Sequence, residues 1–267
     1  MLEKPDIADE QLIACLQRDY SLQIIQINFL PLGNDLNTAV YRVVADDARP
    51  YFLKLRRGEF DEITVAIPRL LSDQGMAQII APIATSSGKL STRVGAFAIM
   101  LSPFIDGQNG FKVEVTDRQR VEIGAALKRM HTLAVPDALR QRLPRESYAP
   151  YWRDLVRGFQ ARAEDSAFAE PVAAQLTALL RAKRPIIDEL IQRAEQLASL
   201  LQNRSLEYVV CHADIHAGNI LIDGDTLFIV DWDTLILAPK ERDLMFVGAG
   251  IDAVWRSARE QGLFYQG

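Results

Sequence analysis

The chain has 267 residues, 49% apolar and 24% charged, with a net charge of −5 at pH 7. Such a composition belongs to a folded protein with a sizeable core and excludes the disordered and fibrous classes. The acidic balance argues against a general nucleic-acid binder, which needs a basic face to displace counterions.

The opening MLEKPDIADEQL places acids and a proline where a secretory leader needs a basic flank and an apolar run. No stretch has the length of a membrane-spanning helix. Cys15 and Cys211 are too few and too far apart for a disulfide framework, which indicates a reducing cytoplasm. Residues 7–18 carry apolar positions at helical spacing. The run from Leu22 to Arg56 then reads as strands turned at Gly33-Asn34 and Asp46-Asp47, an antiparallel arrangement. DEITVAIPRLLSDQG predicts a helix ending near Gly75, with Pro68 expected to break or kink it. QIIAPIAT and GAFAIMLSPFI complete the run of expected strands.

Beyond the turn-rich SPFIDGQNG the pattern becomes helical. Thr116 or Asp117 can cap a helix through RQRVEIGAALKRMHTL, and further helices are predicted at about residues 150–165 and 171–202. Two short apolar runs lie within this part, EYVVC and ILIDGDTLFIVDWD, the second a hairpin turned at Asp223-Gly224-Asp225. The expected architecture is α+β in two lobes. Residues 1–101 form a β-rich lobe, 102–107 a hinge, and 108–267 a mainly helical lobe.

CHADIHAGNILID, residues 211–223, poses the functional question. His212 and His216 have a spacing that suits zinc, but a third protein ligand is not evident. Asp214 and Asn219 are five positions apart on a loop leading into the hairpin, and Asp231 follows it, so the hairpin brings the three together. Phosphoryl transfer needs a carboxylate to accept the attacking hydroxyl's proton and further oxygen ligands for magnesium. The ordered set H-x-D-x-x-x-x-N, strand pair and D-x-D meets that need. Each residue alone is more often structural, because Asp and Asn bond their own backbone in turns.

HADIHAGNILID followed by IVDWD, together with YFLKL and SPFIDGQNGF, resembles the aminoglycoside phosphotransferase family, which has a protein-kinase-like fold. The resemblance runs along nearly the whole chain. It implies Asp214 as catalytic base, with Asn219 and Asp231 holding Mg2+. Lys54 would contact the α- and β-phosphates of ATP or GTP, and Glu62 would fix that lysine, with Glu59 a second candidate. Gly33 and Asn34 would belong to a phosphate loop poor in glycine, and Ser102, Phe104 and Ile105 to a hinge receiving the base. It further implies a small-molecule aminocyclitol or aminoglycoside acceptor, spectinomycin first among them, in a monomer or weak dimer. Two departures stand out. The family's C-terminal helices, which help to wall the acceptor pocket, are expected to be missing after Gly267, and Pro68 is expected to disturb the Lys54–Glu62 pair. Choline, homoserine or a thioribose would serve the same chemistry, and a chain that binds nucleotide without transferring phosphate is the non-catalytic alternative. Asp233 reads equally as a site residue or a solvated carboxylate. Arg242 and Asp243 are expected to secure the loop after the metal site to a helix start.

Overall fold

The computed structural model describes residues 3–33, 35–165, 168–247, 255 and 257–267. The chain divides into two compact units, residues 1–144 with 209–267, and residues 145–208.

The first unit opens with helix α1 (Asp9–Tyr20), whose Leu12, Cys15, Leu16 and Tyr20 share one buried face. Strands β1 (Ile24–Leu30), β2 (Thr38–Ala45), β3 (Pro50–Arg57), β4 (Thr92–Val94) and β5 (Phe97–Pro103) follow. Among the described residues they form an antiparallel sheet in the order β1-β2-β3-β5-β4. Alternation along the strands sorts its two faces. Tyr41 and Val43 of β2, Leu53 and Leu55 of β3, and Ile99 and Leu101 of β5 join α1 in one core. Lys54 lies between two of these core residues and therefore points to the opposite face, paired in register with Val40 and Met100. A slip of one residue in β3 would turn the lysine into the core, so the apolar pattern that builds the sheet also aims Lys54.

Helix α2 (Ile63–Asp73) runs as one element through Pro68, contrary to the expected break. The proline ring removes one N–H, but Ile63, Val65, Ile67, Pro68 and Leu71 are all buried, and that burial offsets the lost bond. QIIAPIAT also departs from expectation. Ile79 makes an isolated parallel bridge to Ile229 and Ile83 donates to the Leu101 carbonyl at 2.7 Å, while Pro82 between them has no N–H with which to continue a ladder.

The rest of this unit carries β6 (Gln108–Asn109), helix α3 (Asp117–Thr132) and the short α4 (Asp137–Arg140), which sequence reading missed. Thr116 caps α3 in a reciprocal capping box with Gln119. The second unit is a helical pair, α5 (Tyr151–Asp165) and α6 (Pro171–Gln202), close to the predicted spans. Glu170 starts α6 by accepting the Val172 and Ala173 N–H groups, and Arg157 pairs with Glu195 across the two helices at 2.6 Å. The chain re-enters the first unit with β7 (Val209–Cys211), β8 (Ile220–Asp223), β9 (Thr226–Ile229), β10 (Ile236–Ala238) and α7 (Ala258–Gln266). β8 and β9 form the expected hairpin, with β6 on its outer edge and Gly224 at φ 57° in the turn. Among the described residues no helix is long and apolar enough to cross a membrane.

Two helical glycines test the packing with opposite signs. A methyl group on Gly124 of α3 would run into the Phe264 carbonyl of α7, whereas one on Gly158 of α5 meets nothing within 4 Å. Gly158→Ala should therefore stabilise by about 0.5–1 kcal/mol through helix propensity, and Gly124→Ala should destabilise by about 1–3 kcal/mol through overpacking. Chemical denaturation of both variants checks this, and a Gly124→Ala variant no less stable than the wild type would refute the close α3–α7 approach.

Candidate active site

The loop after β7 is held by one buried carboxylate. Asp243 Oδ1 accepts the Ala213 N–H at 2.6 Å and Oδ2 accepts the His212 N–H at 3.3 Å, while His131 Nε2 from α3 lies 2.7 Å from Oδ2. Ala213 has φ 67°, a conformation unfavourable for any residue with a Cβ, and Asp243 binds it there. The sequence expectation assigned Asp243 to the loop after the metal site. Its bonds go instead to the loop that carries Asp214, because a buried carboxylate must find donors and the two adjacent N–H groups supply them.

His212 is fully buried, with Nε2 on the Val230 carbonyl at 2.9 Å and Nδ1 without a hydrogen-bond partner among the described residues. The ring is thus neutral with its proton on Nε2. Burial lowers its pKa, outweighing the carboxylates nearby. His216 Nδ1 accepts the Gly218 N–H at 2.9 Å, and its ring stacks on Phe111. Both histidines thus orient the loop, each through one ring nitrogen, and among the described residues neither belongs to a group of three potential metal ligands. A separate group, His131, Cys211 and Asp243, brings ligand atoms within 4.8 Å of one another. Asp243 is already occupied by three donors there, and burial raises the Cys211 pKa far above the usual thiol range, which keeps the thiol protonated.

Asn219 Nδ2 donates to the Asp214 carbonyl at 2.9 Å and to Asp214 Oδ2 at 3.2 Å. These bonds orient the amide, and among the described residues neither Asn219 Oδ1 nor Asp214 Oδ1 has a hydrogen-bond partner. The Asn219 carbonyl accepts the Val230 N–H at 3.0 Å, which ties the loop to the segment carrying Asp231. Asp231 has φ 64°. An aspartate tolerates that conformation better than most residues.

Lys54 reaches this segment from β3, with Nζ 2.8 Å from Asp233 Oδ2 and 3.3 Å from Asp231 Oδ1. Burial works to lower its pKa, but the Asp233 and Asp231 charges outweigh it and hold the ammonium charged. Glu62 is therefore not the partner that sequence reading expected. It sits at the N-cap of α2 and accepts the Ser91 hydroxyl at 3.3 Å, and Glu59 is exposed. The lysine turns to two carboxylates on one segment, which together offer more Coulomb attraction than one glutamate at a helix start. Asp233 is thus the ion-pair partner of Lys54 rather than a solvated carboxylate, a relation legible only as the second acid of D-x-D.

Elsewhere the candidate residues divide. Gly33 adopts φ 83°, and Asn34 lies outside the described residues. Ser102 pairs with Phe52 at the end of β5. The Phe104 N–H is taken by the Pro50 carbonyl at 3.2 Å, and its ring lies under the Arg42 guanidinium. Among the described residues the Ile105 N–H has no backbone partner, so Ile105 retains a free donor and Phe104 does not. Asn219 Oδ1 and the Asp231 carboxylate are hard oxygen donors of the kind magnesium takes, so the donor chemistry of this site fits that ion.

A model of the phosphotransferase enzyme family matches residues 28–266. The chain is similar to spectinomycin phosphotransferase APH(9)-Ia, solved in complex with ADP and spectinomycin. Identity is 37% and the TM-score 0.91, over 98% of this chain and 80% of that one. Protein StrN of Streptomyces griseus is 25% identical over 247 residues, which cover 90% of this chain and 75% of that protein. The amicoumacin kinase hAmiN, 18% identical with a TM-score of 0.63 over 97% of this chain and 75% of that one, shares the fold.

The buried neutral His212 sets a pH dependence. Its folded pKa lies below the unfolded value of about 6.5, so between the two the unfolded chain binds the extra proton and acid favours unfolding. Stability is expected to fall as pH drops from about 7.5 to about 5.5, and less steeply in His212→Gln. Urea titrations at both pH values check this, and equal slopes in the two proteins would refute the assignment.

Proposed function

The chain belongs to the phosphotransferase enzyme family, and from that premise we propose that it moves the γ-phosphoryl group of ATP or GTP to a hydroxyl of an aminocyclitol, with spectinomycin as acceptor. The observation that carries the reading is the 37% identity over 98% of the chain to an enzyme solved with ADP and spectinomycin. The convergence of Asp214, Asn219, Asp231 and Lys54 supports it.

In this reading Asp214 is the base. Asn219 holds one of its carboxylate oxygens, which orients the other toward the attacking hydroxyl. Asn219 Oδ1 and Asp231 would hold Mg2+, which when bound neutralises charge on the β- and γ-phosphates. Lys54 positions the phosphates. For that it exchanges part of its attraction to Asp231 and Asp233 for phosphate oxygens, and its charged state suits the task. Residues 1–101 serve as the nucleotide-binding lobe, 102–107 as the hinge and 108–267 as the lobe with the catalytic loop, working in the cytoplasm. Ile105, with its free N–H, is the best placed hinge donor for the base.

The test is nucleoside-diphosphate release with Mg-ATP and Mg-GTP, with and without spectinomycin, for the wild type and Asp214→Asn. Release that depends on spectinomycin and falls roughly 10²- to 10⁴-fold in the variant is expected. Full acceptor-dependent turnover in the variant would remove Asp214 as base. No acceptor-dependent release from folded, nucleotide-binding protein would remove spectinomycin as acceptor.

A further inference from the structure

Arg56 stands two residues beyond Lys54 on β3, so both side chains project from the same face of the sheet. Its Nη1 lies 2.6 Å from Asp35 Oδ2, 3.3 Å from Thr38 Oγ1 and 3.3 Å from Asp233 Oδ2. Lys54 Nζ reaches that same Asp233 oxygen at 2.8 Å. One guanidinium nitrogen thus links the segment after β1 to the carboxylate that holds the phosphate-positioning lysine.

Asp35 organises its segment by accepting the Asn37 N–H at 2.8 Å and the Thr38 hydroxyl at 3.0 Å. Burial pushes its pKa up, but the Asn37 N–H, the Thr38 hydroxyl and the Arg56 and Lys54 charges outweigh this and keep it ionised. A carboxylate beside a polyphosphate site repels the ligand unless it is neutralised. Glycine also does little to shape this connection, since Gly33 is the one glycine between β1 and β2. Charge does it instead, because three carboxylates, Asp35, Asp231 and Asp233, share two cations, Lys54 and Arg56.

We infer that Arg56 is a positioning residue for the nucleotide: through Asp35 it fixes residues 35–37 beside Lys54 and cancels the aspartate's repulsion, and through Asp233 it sets where the Lys54 ammonium rests. The inference rests on the kinase reading of the same site, and its test separates the two.

Hydrogen exchange of the Asn37 and Thr38 amides is measured without nucleotide in the wild type, Arg56→Met, Arg56→Lys and Asp35→Asn. Binding of Mg-AMP-PNP and steady-state kinetics follow in the same proteins and in the double variant Arg56→Met/Asp35→Asn. Arg56→Met is expected to speed exchange at both amides about five-fold, and to raise the Kd for Mg-AMP-PNP and the KM for nucleotide by about the same factor, with kcat within roughly two-fold. Arg56→Lys should recover part of the loss, since it keeps the charge and loses the planar fork. The double variant should be no worse than Arg56→Met, because both substitutions break one linkage. Unchanged exchange and KM in Arg56→Met would overturn the inference. Additive losses, or a fall in kcat matching that in kcat/KM, would also overturn it by making Arg56 a direct contact in the transfer step. If the wild type binds no Mg-AMP-PNP, the kinase reading fails, while the exchange rates still decide whether Arg56 holds the segment.

Discussion

The ammonium of Lys54 between Asp231 and Asp233 is the interaction on which the site depends. It is the contact by which the strand-built and loop-built parts of the first unit meet at the chemistry. Its position is set far from the carboxylates, by the alternation that sends Leu53 and Leu55 into the α1 core and leaves Lys54 on the opposite face. Strand register and site geometry are therefore one constraint. No change that moves β3 by a residue can preserve either.

The carboxylate side of that contact is held by backbone that resists its own conformation. Ala213 and Asp231 both have positive φ, and such residues persist where surrounding bonds over-determine them. Asp243 supplies those bonds at Ala213, and the Asn219–Val230 bond joins the two segments just before Asp231. The buried His212 ring closes the same frame from inside through the Val230 carbonyl. The strain is thus distributed over a network whose members are buried or backbone-bonded, which sets Asp214 and Asp231 without rigid packing of their own side chains.

Most of this was legible in the sequence for a physical reason. Amphipathic periodicity records burial, so the helices at 151–165 and 171–202 and the hairpin at 220–229 could be read directly. QIIAPIAT could not, because apolar residues signal burial whether or not a ladder forms, and Pro82 decides that question through hydrogen bonding. Asp214, Asn219 and Asp231 were legible because they lie on one local supersecondary unit whose hairpin fixes their relation. The partner of Lys54 was not, since Glu62 lies nearby in sequence, Asp233 lies far along it, and only the fold decides between the two acids. Arg56 and Asp35 were missed for the same reason, although Lys-x-Arg on a strand does place two cations on one face.

The charge cluster is hard to explain as a stabilising device. Ion pairs with partly exposed members contribute little to folding, and withdrawing a lysine from water offsets part of what its partners return. An apolar residue at position 54 would pack against Val40 and Met100 without that cost. Three carboxylates and two cations on one side of the sheet instead leave one uncompensated negative charge, an arrangement that favours an incoming divalent cation and disfavours an unaccompanied polyphosphate. In the proposed reading such a cluster would favour a metal–nucleotide complex over free nucleotide, a demand of function that the stability of the fold does not impose.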